Sequence, residues 1–382
     1  MGLLDQALNN LYIQRVCPSC IQSFYPGDCR IISTTTKGKV LEDAPIGWKR
    51  HVSRMYPKPL KGHYVLELAC RECPNCGYAL PPNIELVENL SIAIVGDTYS
   101  GKSHFIAALI HQMRQGNLQG ANQFARFNCL TQDVEQIYQR DVIQPLFEKK
   151  RTPDSTQNAI DINRPPLIYE LIITPDPERP PRHLNLILYD ASGEDLATRE
   201  RMVQFSRYVL HANAMVFLAD PMSMPEIFKL LPPHLQQKYQ TTGRRVTSVF
   251  NSILSLIEQY RGQDAGARLA STPIAITLAK SDLLKQLTAI QKQYSFLKKP
   301  TYNGTVNLQE LDQIDQEVRQ LLQDYGEQTL LNAAYKLSNI KFLATSATGY
   351  APDQNGIYPT VDPCRCLDPI AWILYKLDIL HT

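Results

Sequence analysis

The chain has 382 residues, with 39 basic and 37 acidic side chains and a formal net charge of +2. So small a charge leaves no global field to hold the chain on nucleic acid or an anionic membrane. With 44% hydrophobic and 20% charged residues, the composition excludes a disordered chain and leaves room for two domains. No apolar run reaches the length needed to cross a bilayer. Met1 to Asn10 lack a basic start followed by an apolar core, and Gln6 stands where a myristoylated chain carries Ser or Thr. A cytosolic, cytoplasmic setting is the expectation.

Six of the nine cysteines fall within the first 76 residues: Cys17, Cys20, Cys29, Cys70, Cys73 and Cys76. In a reducing compartment such a cluster reads as a metal site before it reads as disulfides. Cys17-Pro18-Ser19-Cys20 and Cys73-Pro74-Asn75-Cys76-Gly77 have the form of two zinc knuckles. Four thiolates would fill the tetrahedral positions of Zn²⁺ and leave none open for catalysis. The 52 residues between the knuckles exceed ribbon spacing, so a β insertion is expected between them. Cys29 and Cys70 are spare ligands or buried thiols. Lys37, Lys39, Lys49, Arg50, Arg54, Lys58 and Lys61, interleaved with Trp48, Tyr56 and Tyr64, read as a solvated face ahead of a nucleic-acid surface. Pro81-Pro82 mark the end of this stretch, so residues 1–88 are expected to form a small zinc-ribbon-like β module with a leading helix.

From Leu90 the pattern changes to strands alternating with helices, which predicts a mainly parallel α/β sheet with helices on both faces over residues 89–382. Short apolar strands are predicted at Ser91–Val95, Leu184–Tyr189, Ala214–Ala219, Ile274–Leu278 and Lys341–Ala344. Leu167–Ile173 is a further strand, expected to pair antiparallel with Leu184–Tyr189 across the short Pro-rich turn at 175–181. Helices are predicted near 103–115, 131–149, 197–211, 244–261, 281–294, 308–337 and 368–379. Residues 116–150 and 222–245 look like insertions over a minimal nucleotide-binding core.

Directly after the first of these strands stands Gly96-Asp97-Thr98-Tyr99-Ser100-Gly101-Lys102-Ser103, with His104 opening a helical run. This is G-x-x-x-x-G-K-[ST] in its strand–loop–helix setting, the signature of a P-loop NTPase. Backbone N–H groups of residues 96–104 would cradle the phosphates. Lys102 would neutralise the β and γ phosphates and the Ser103 hydroxyl would ligate Mg²⁺.

Three further strings follow in order. Asp190-Ala191-Ser192-Gly193 ends a strand as D-x-x-G, where Asp190 would hold Mg²⁺ through water and the Gly193 N–H would sense the γ-phosphate. Ala279-Lys280-Ser281-Asp282 and Thr345-Ser346-Ala347-Thr348 each follow a later strand. At these positions the chain resembles the Ras-like GTPases of the translation-factor-related class. The resemblance implies that Asp282 reads the guanine ring N–H and amino group, and that Lys280 lies along the base. It also implies that Ser346 and Ala347 form the turn that meets the base carbonyl. A cysteine module fused ahead of the V-G-D-x-x-S-G-K-S-H loop and the Y-D-A-S-G-E string is similar to the double-GTPase family of bacterial conflict systems.

Three departures from the Ras-like pattern matter. Ala279 replaces an Asn or Thr that ties the base-reading loop to the phosphate loop. Thr98 and Tyr99 are bulky where those enzymes are small, which would obstruct an arginine finger from a partner. Glu194 replaces a water-orienting Gln. The first switch is expected near 151–166, with Thr152 or Thr156 as the Mg²⁺-sensing threonine and Arg151 as an internal finger. Cys364 and Cys366 read as packing residues. The resulting expectation is a GTP-binding switch, cycling between GTP and GDP with slow hydrolysis through Lys102, Gly193 and Glu194. It would use Mg²⁺ and structural Zn²⁺, with activator and effector proteins as partners. The rival readings are a P-loop ATPase, a non-hydrolysing scaffold, and a nucleic-acid binder using the zinc module.

Overall fold

The computed structural model describes residues 10–34, 40–43, 68–116, 124–153, 166–173, 181–190, 208–238, 245–255, 258–259, 272–287, 290, 294–300 and 307–380. At the N-terminal end β1 (Arg15–Val16) pairs antiparallel with β2 (Ser23–Phe24). Then β3 (Arg30–Thr34) lies between β4 (Val40–Asp43) and β5 (Leu68–Glu72), antiparallel to both. These two small sheets carry the cysteines, and β3 to β5 answer the expected β insertion between the knuckles. Residues 1–9, at the start of the stretch where a leading helix is expected, lie outside the described residues.

The main sheet begins with β6 (Glu88–Gly96), followed by α1 (Lys102–Arg114), β7 (Phe124–Cys129) and α2 (Gln132–Tyr138). The chain continues through β8 (Leu167–Ile173), β9 (Arg182–Asp190) and β10 (Ala214–Ala219). Next come α3 (Pro225–Leu230), α4 (Pro233–Lys238), β11 (Ile274–Leu278) and α5 (Ser281–Leu284). The last elements are α6 (Leu308–Asp324), α7 (Gln328–Ala334), β12 (Ile340–Ala344) and α8 (Asp368–Lys376). The strand order is β12-β11-β10-β6-β9-β8-β7. The pairs from β12 through β9 are parallel, while β8 is antiparallel to both β9 and β7.

The patterning explains this order. Every residue of β10 and β11 is buried, as expected of central parallel strands covered on both faces. In β8 and β9 the faces divide by parity. Leu167, Tyr169, Leu171, Leu184, Leu186 and Leu188 point into the large core shared with α1. Ile168, Ile187 and Tyr189 form a separate cluster with Ile21 of the cysteine module. The module therefore roofs the face of β8 and β9 opposite to the main core.

Some helices differ from the sequence reading. The helix expected over 308–337 is broken at Gly326, whose φ of 79° ends α6 in a left-handed turn before α7 begins. The insertion at 116–150 supplies the edge strand β7 and α2. The helix then widens over Gln139–Glu148, where Pro145 cannot donate to a regular α-helical ladder. The expected 281–294 helix runs only to Leu284, and 197–207 lies outside the described residues. No helix among the described residues is long and apolar enough to cross a membrane.

Candidate functional site

The chemistry-bearing strings gather where β6, β10, β11 and β12 end. At the end of β6 the chain must turn against β10. A Cβ on Gly96 would sit 2.7 Å from Ser100 Oγ and 2.8 Å from the Leu218 carbonyl, so only glycine fits. The loop closes by Ser100 N–H donating to the Asp97 carbonyl at 3.1 Å, and Thr98 N–H to Asp97 Oδ1 at 2.9 Å. Left-handed Tyr99 and Gly101, at φ of 65° and 89°, then lead the chain into α1. Lys102 is buried, and its ammonium donates to the Gly96 and Asp97 carbonyls at 3.1 and 2.8 Å. The cation thus sits inside the loop, where a polyphosphate would be charge-matched.

Two polar atoms are sealed here without a hydrogen-bond partner among the described residues, Ser100 Oγ and His104 Nε2. A buried hydroxyl lacking a partner inside a phosphate loop is a donor suited to an anionic oxygen. Burial, then the nearby Lys280 charge, hold the His104 imidazole down at about 4 from its ordinary 6.5. It is neutral in the fold at pH 7. The unfolded chain binds its proton first as pH falls, so stability is complete above 6.5 and is lost as pH drops toward 4. His104→Gln is therefore expected to flatten the fall in Tm between those values, as measured by thermal melts against pH. A slope equal to the parent's would count against a neutral imidazole with a sealed Nε2.

The two strings expected to read the base assemble from β11 and β12. Asp282 opens α5, and Ser346 Oγ donates to its Oδ1 at 2.6 Å across 64 residues of sequence. Gly349 N–H donates back to Ser346 Oγ at 2.8 Å. Ser281 N–H and Thr345 N–H tie the two loops through the Thr345 and Leu278 carbonyls at 3.0 and 2.8 Å. Cys364 exchanges backbone bonds with Ser346 at 2.8 and 2.9 Å, and the Cys366 thiol donates to the Ser346 carbonyl at 3.3 Å. These two cysteines thus pack as expected and also brace the Ser346-Ala347 turn. Burial raises the Asp282 carboxyl above its ordinary value, against the Ser346 hydroxyl and its own backbone amide, which lower it.

Ala279 cannot supply the missing tie. Instead Lys280, at φ of 51°, directs its ammonium to Asp220 Oδ2 at 2.7 Å, and Asp220 Oδ1 accepts from Met222 N–H at 2.9 Å. Asp220 is buried at the end of β10 and had no sequence signal beyond its place after an apolar strand. It holds the lysine from the neighbouring strand.

The match with the Double-GTPase 2 family spans residues 90–348, from the first strand of this site to the last base-reading turn. The chain belongs to that family. Over 410 aligned residues it is 24% identical to SaeC of Mycolicibacterium smegmatis, whose name carries a proposed role in ESX-1 scaffolding and assembly. The alignment covers 95% of this chain and 99% of that protein. Among solved structures it is similar to sup35 complexed with GDP at 12% identity and a TM-score of 0.27. It is also similar to the S. cerevisiae Ski7 GTPase-like domain bound to GTP, at 12% identity and a TM-score of 0.32. It spans 38% and 52% of those two chains, which cover 68% and 78% of this one.

In this double-GTPase chain, Asp190 ends β9 opposite Ile94 of β6, beside the phosphate loop; its side chain is not among the described ones. Gly193, Glu194 and Thr156 lie outside the described residues. Thr152 is spent elsewhere: its N–H and hydroxyl both donate to the Gly356 carbonyl, at 2.7 and 3.0 Å. Arg151 is exposed and forms a bridge with Ile357.

The double-GTPase domain is preceded by a four-thiol cluster. The sulfurs of Cys17, Cys20, Cys73 and Cys76 all lie within 4.8 Å of one another. Cys17 Sγ stands 3.8 Å from Cys76 Sγ, and Cys20 Sγ 3.8 Å from Cys73 Sγ. A tetrahedron with Zn–S of about 2.3 Å has an edge of about 3.8 Å, so the donor set fits zinc. The knuckles match: Ile21 N–H bonds the Cys17 carbonyl at 3.0 Å, and Gly77 N–H the Cys73 carbonyl at 2.9 Å. Both turns need a left-handed residue after the second cysteine. Gly77 has φ of 72°, whereas Ile21 adopts 62°, which strains a β-branched residue. Cys29 and Cys70 stay outside the four-sulfur group, and Cys29 donates to the Tyr25 carbonyl at 3.5 Å.

Proposed function

We propose that the chain is a GTP-binding molecular switch with slow, Mg²⁺-dependent hydrolysis and a structural zinc site. The observation that carries the guanine reading is the Ser346–Asp282 bond, which seats a buried carboxylate between the loops that follow β11 and β12. Family membership implies guanine nucleotide, and the carboxylate has the chemistry to select it. Ser103 and Asp190 would hold Mg²⁺. The metal would screen charge between the phosphates, while Lys102, Gly193 and Glu194 would serve the γ-phosphate. A cytosolic setting, activator and effector proteins, and a role in a bacterial conflict system belong to the same proposal.

The test is competition of GTP and ATP for the purified chain, with native mass spectrometry reporting bound nucleotide and metal. GTP is expected to win. Lys102→Ala should weaken nucleotide at least about tenfold, since removing an ammonium leaves phosphate charge unmatched. Equal affinity for ATP would turn the reading into an ATPase.

A second reading, a nucleotide-dependent scaffold, is favoured by the end-to-end match to a protein named for scaffolding and assembly. Under it the module would serve a protein partner and phosphate release would stay at the Lys102→Ala blank. Single-turnover phosphate release separates the two.

A further inference from the structure

The outer face of β9 is held by the cysteine module at alternate residues. Asn185 is fully buried and exchanges amide bonds with Asn83, at 3.0 and 2.9 Å. Ile187 clusters with Ile168 and the strained Ile21. Tyr189, also buried, donates its hydroxyl to the Pro18 carbonyl at 3.1 Å. The next residue is Asp190, the last of the strand. Tyr208 stacks on Tyr189 with ring centroids 4.4 Å apart and donates to the Ser19 carbonyl at 3.3 Å. Pro18 and Ser19 are the two residues between Cys17 and Cys20, the loop that zinc would fix at both ends.

We propose that Tyr189 and Tyr208 are positioning residues that link zinc occupancy of the first knuckle to nucleotide affinity at the β9 end of the phosphate loop. The inference rests on the zinc and nucleotide readings above. With zinc bound, the Pro18 and Ser19 carbonyls stand at fixed positions and fix the two rings. Tyr189 then fixes the backbone from which Asp190 departs. Without zinc the two carbonyls are no longer held, and a buried hydroxyl faces the loss of its acceptor. Ile21 accounts for its own strain in the same way, since a glycine there would relax the turn and give up the contact with Ile187. The module is thus a clamp on the strand that leads to Asp190.

Linkage is reciprocal: if zinc tightens nucleotide, nucleotide must tighten zinc by the same factor. The test uses the full chain loaded with zinc and measures its zinc affinity by equilibrium competition with graded amounts of a chromogenic chelator, with and without saturating Mg²⁺·GDP. Nucleotide is expected to tighten zinc about fivefold or more, the lower end of ordinary coupling. Tyr189→Phe and Tyr208→Phe keep both rings; each should still bind one zinc and should bind nucleotide. The double variant should bring the nucleotide effect below about twofold. A purely structural role for the hydroxyls would change zinc affinity equally in both conditions and would overturn the proposal. So would parent protein whose zinc affinity ignores bound GDP. A fluorescent GDP analogue that fails to bind at all would bring down the nucleotide reading, and this inference with it.

Discussion

Asp282→Asn is expected to lower GTP affinity about a hundredfold and to raise affinity for xanthosine triphosphate. A carboxylate offers only acceptors, matching the ring N–H and 2-amino donors of guanine. Asparagine turns one acceptor into a donor, which opposes the amino group of guanine and suits the 2-oxo group of xanthine. Leaving one such polar group opposed in a buried site costs about 1–3 kcal/mol, and more where charge is involved. Here the residue is 7% exposed and its plane is set by the Ser346 hydroxyl, so there is little slack to relax. Displacement of a fluorescent GDP analogue by GTP, ATP and xanthosine triphosphate reads the effect. A variant that still prefers GTP over both would remove Asp282 as the base reader.

The same residue has a pH sign. Burial raises its carboxyl, so the folded state holds a proton more tightly than the unfolded chain. Stability from this group therefore declines as pH rises from 3.8 through the raised value. Asp282→Asn should leave Tm at neutral pH unchanged or higher, which separates lost recognition from lost folding.

Much of this site was legible in the sequence because its parts are local. A strand, a glycine-rich turn and a helix follow one another within residues 88–114, the spacing that a phosphate-cradling loop requires. The antiparallel β8–β9 pair was legible from its short connection. Asp220, Tyr189 and Tyr208 were not, because each acts across strands or layers and no spacing rule marks it. The role of Cys364 and Cys366 was hidden likewise: both were read as packing residues, and only the return of the chain beside Ser346 shows what they pack. The break at Gly326 is signalled by a single glycine, which the predicted helix at 308–337 runs straight through. Thr152 shows the converse. Its residue type suited a switch, yet its hydroxyl is committed to Gly356.

Zinc removal is expected to unfold the N-terminal module while the main sheet persists. The apolar cluster around the thiols is small among the described residues: Cys17, Phe24, Cys29, Cys73, Leu80 and Ile84, with Cys20 and Tyr78 against it, while Leu11, Ile31 and Ile32 are buried outside it. Half of that cluster is cysteine, so apolar burial at the knuckles falls well short of the backbone entropy of ordering these turns. A structural zinc supplies about 10–16 kcal/mol of apparent folding energy in small domains, which is the scale needed here. One buried ion pair, Arg71–Glu85 at 3.1 Å, does not replace it, since its desolvation offsets most of its attraction. The main sheet has its own continuous core between Leu90 and Leu380, so it is expected to stay folded when the metal is removed. Chelation, or Cys73→Ser, should therefore raise hydrogen exchange by orders of magnitude at Cys17–Phe24 and Cys73–Leu80. Exchange in β10 and β11 should change little. Protection at both knuckles that survives complete zinc loss, checked by native mass spectrometry, would mean that the four thiols pack as an apolar cluster and that the metal has no structural role.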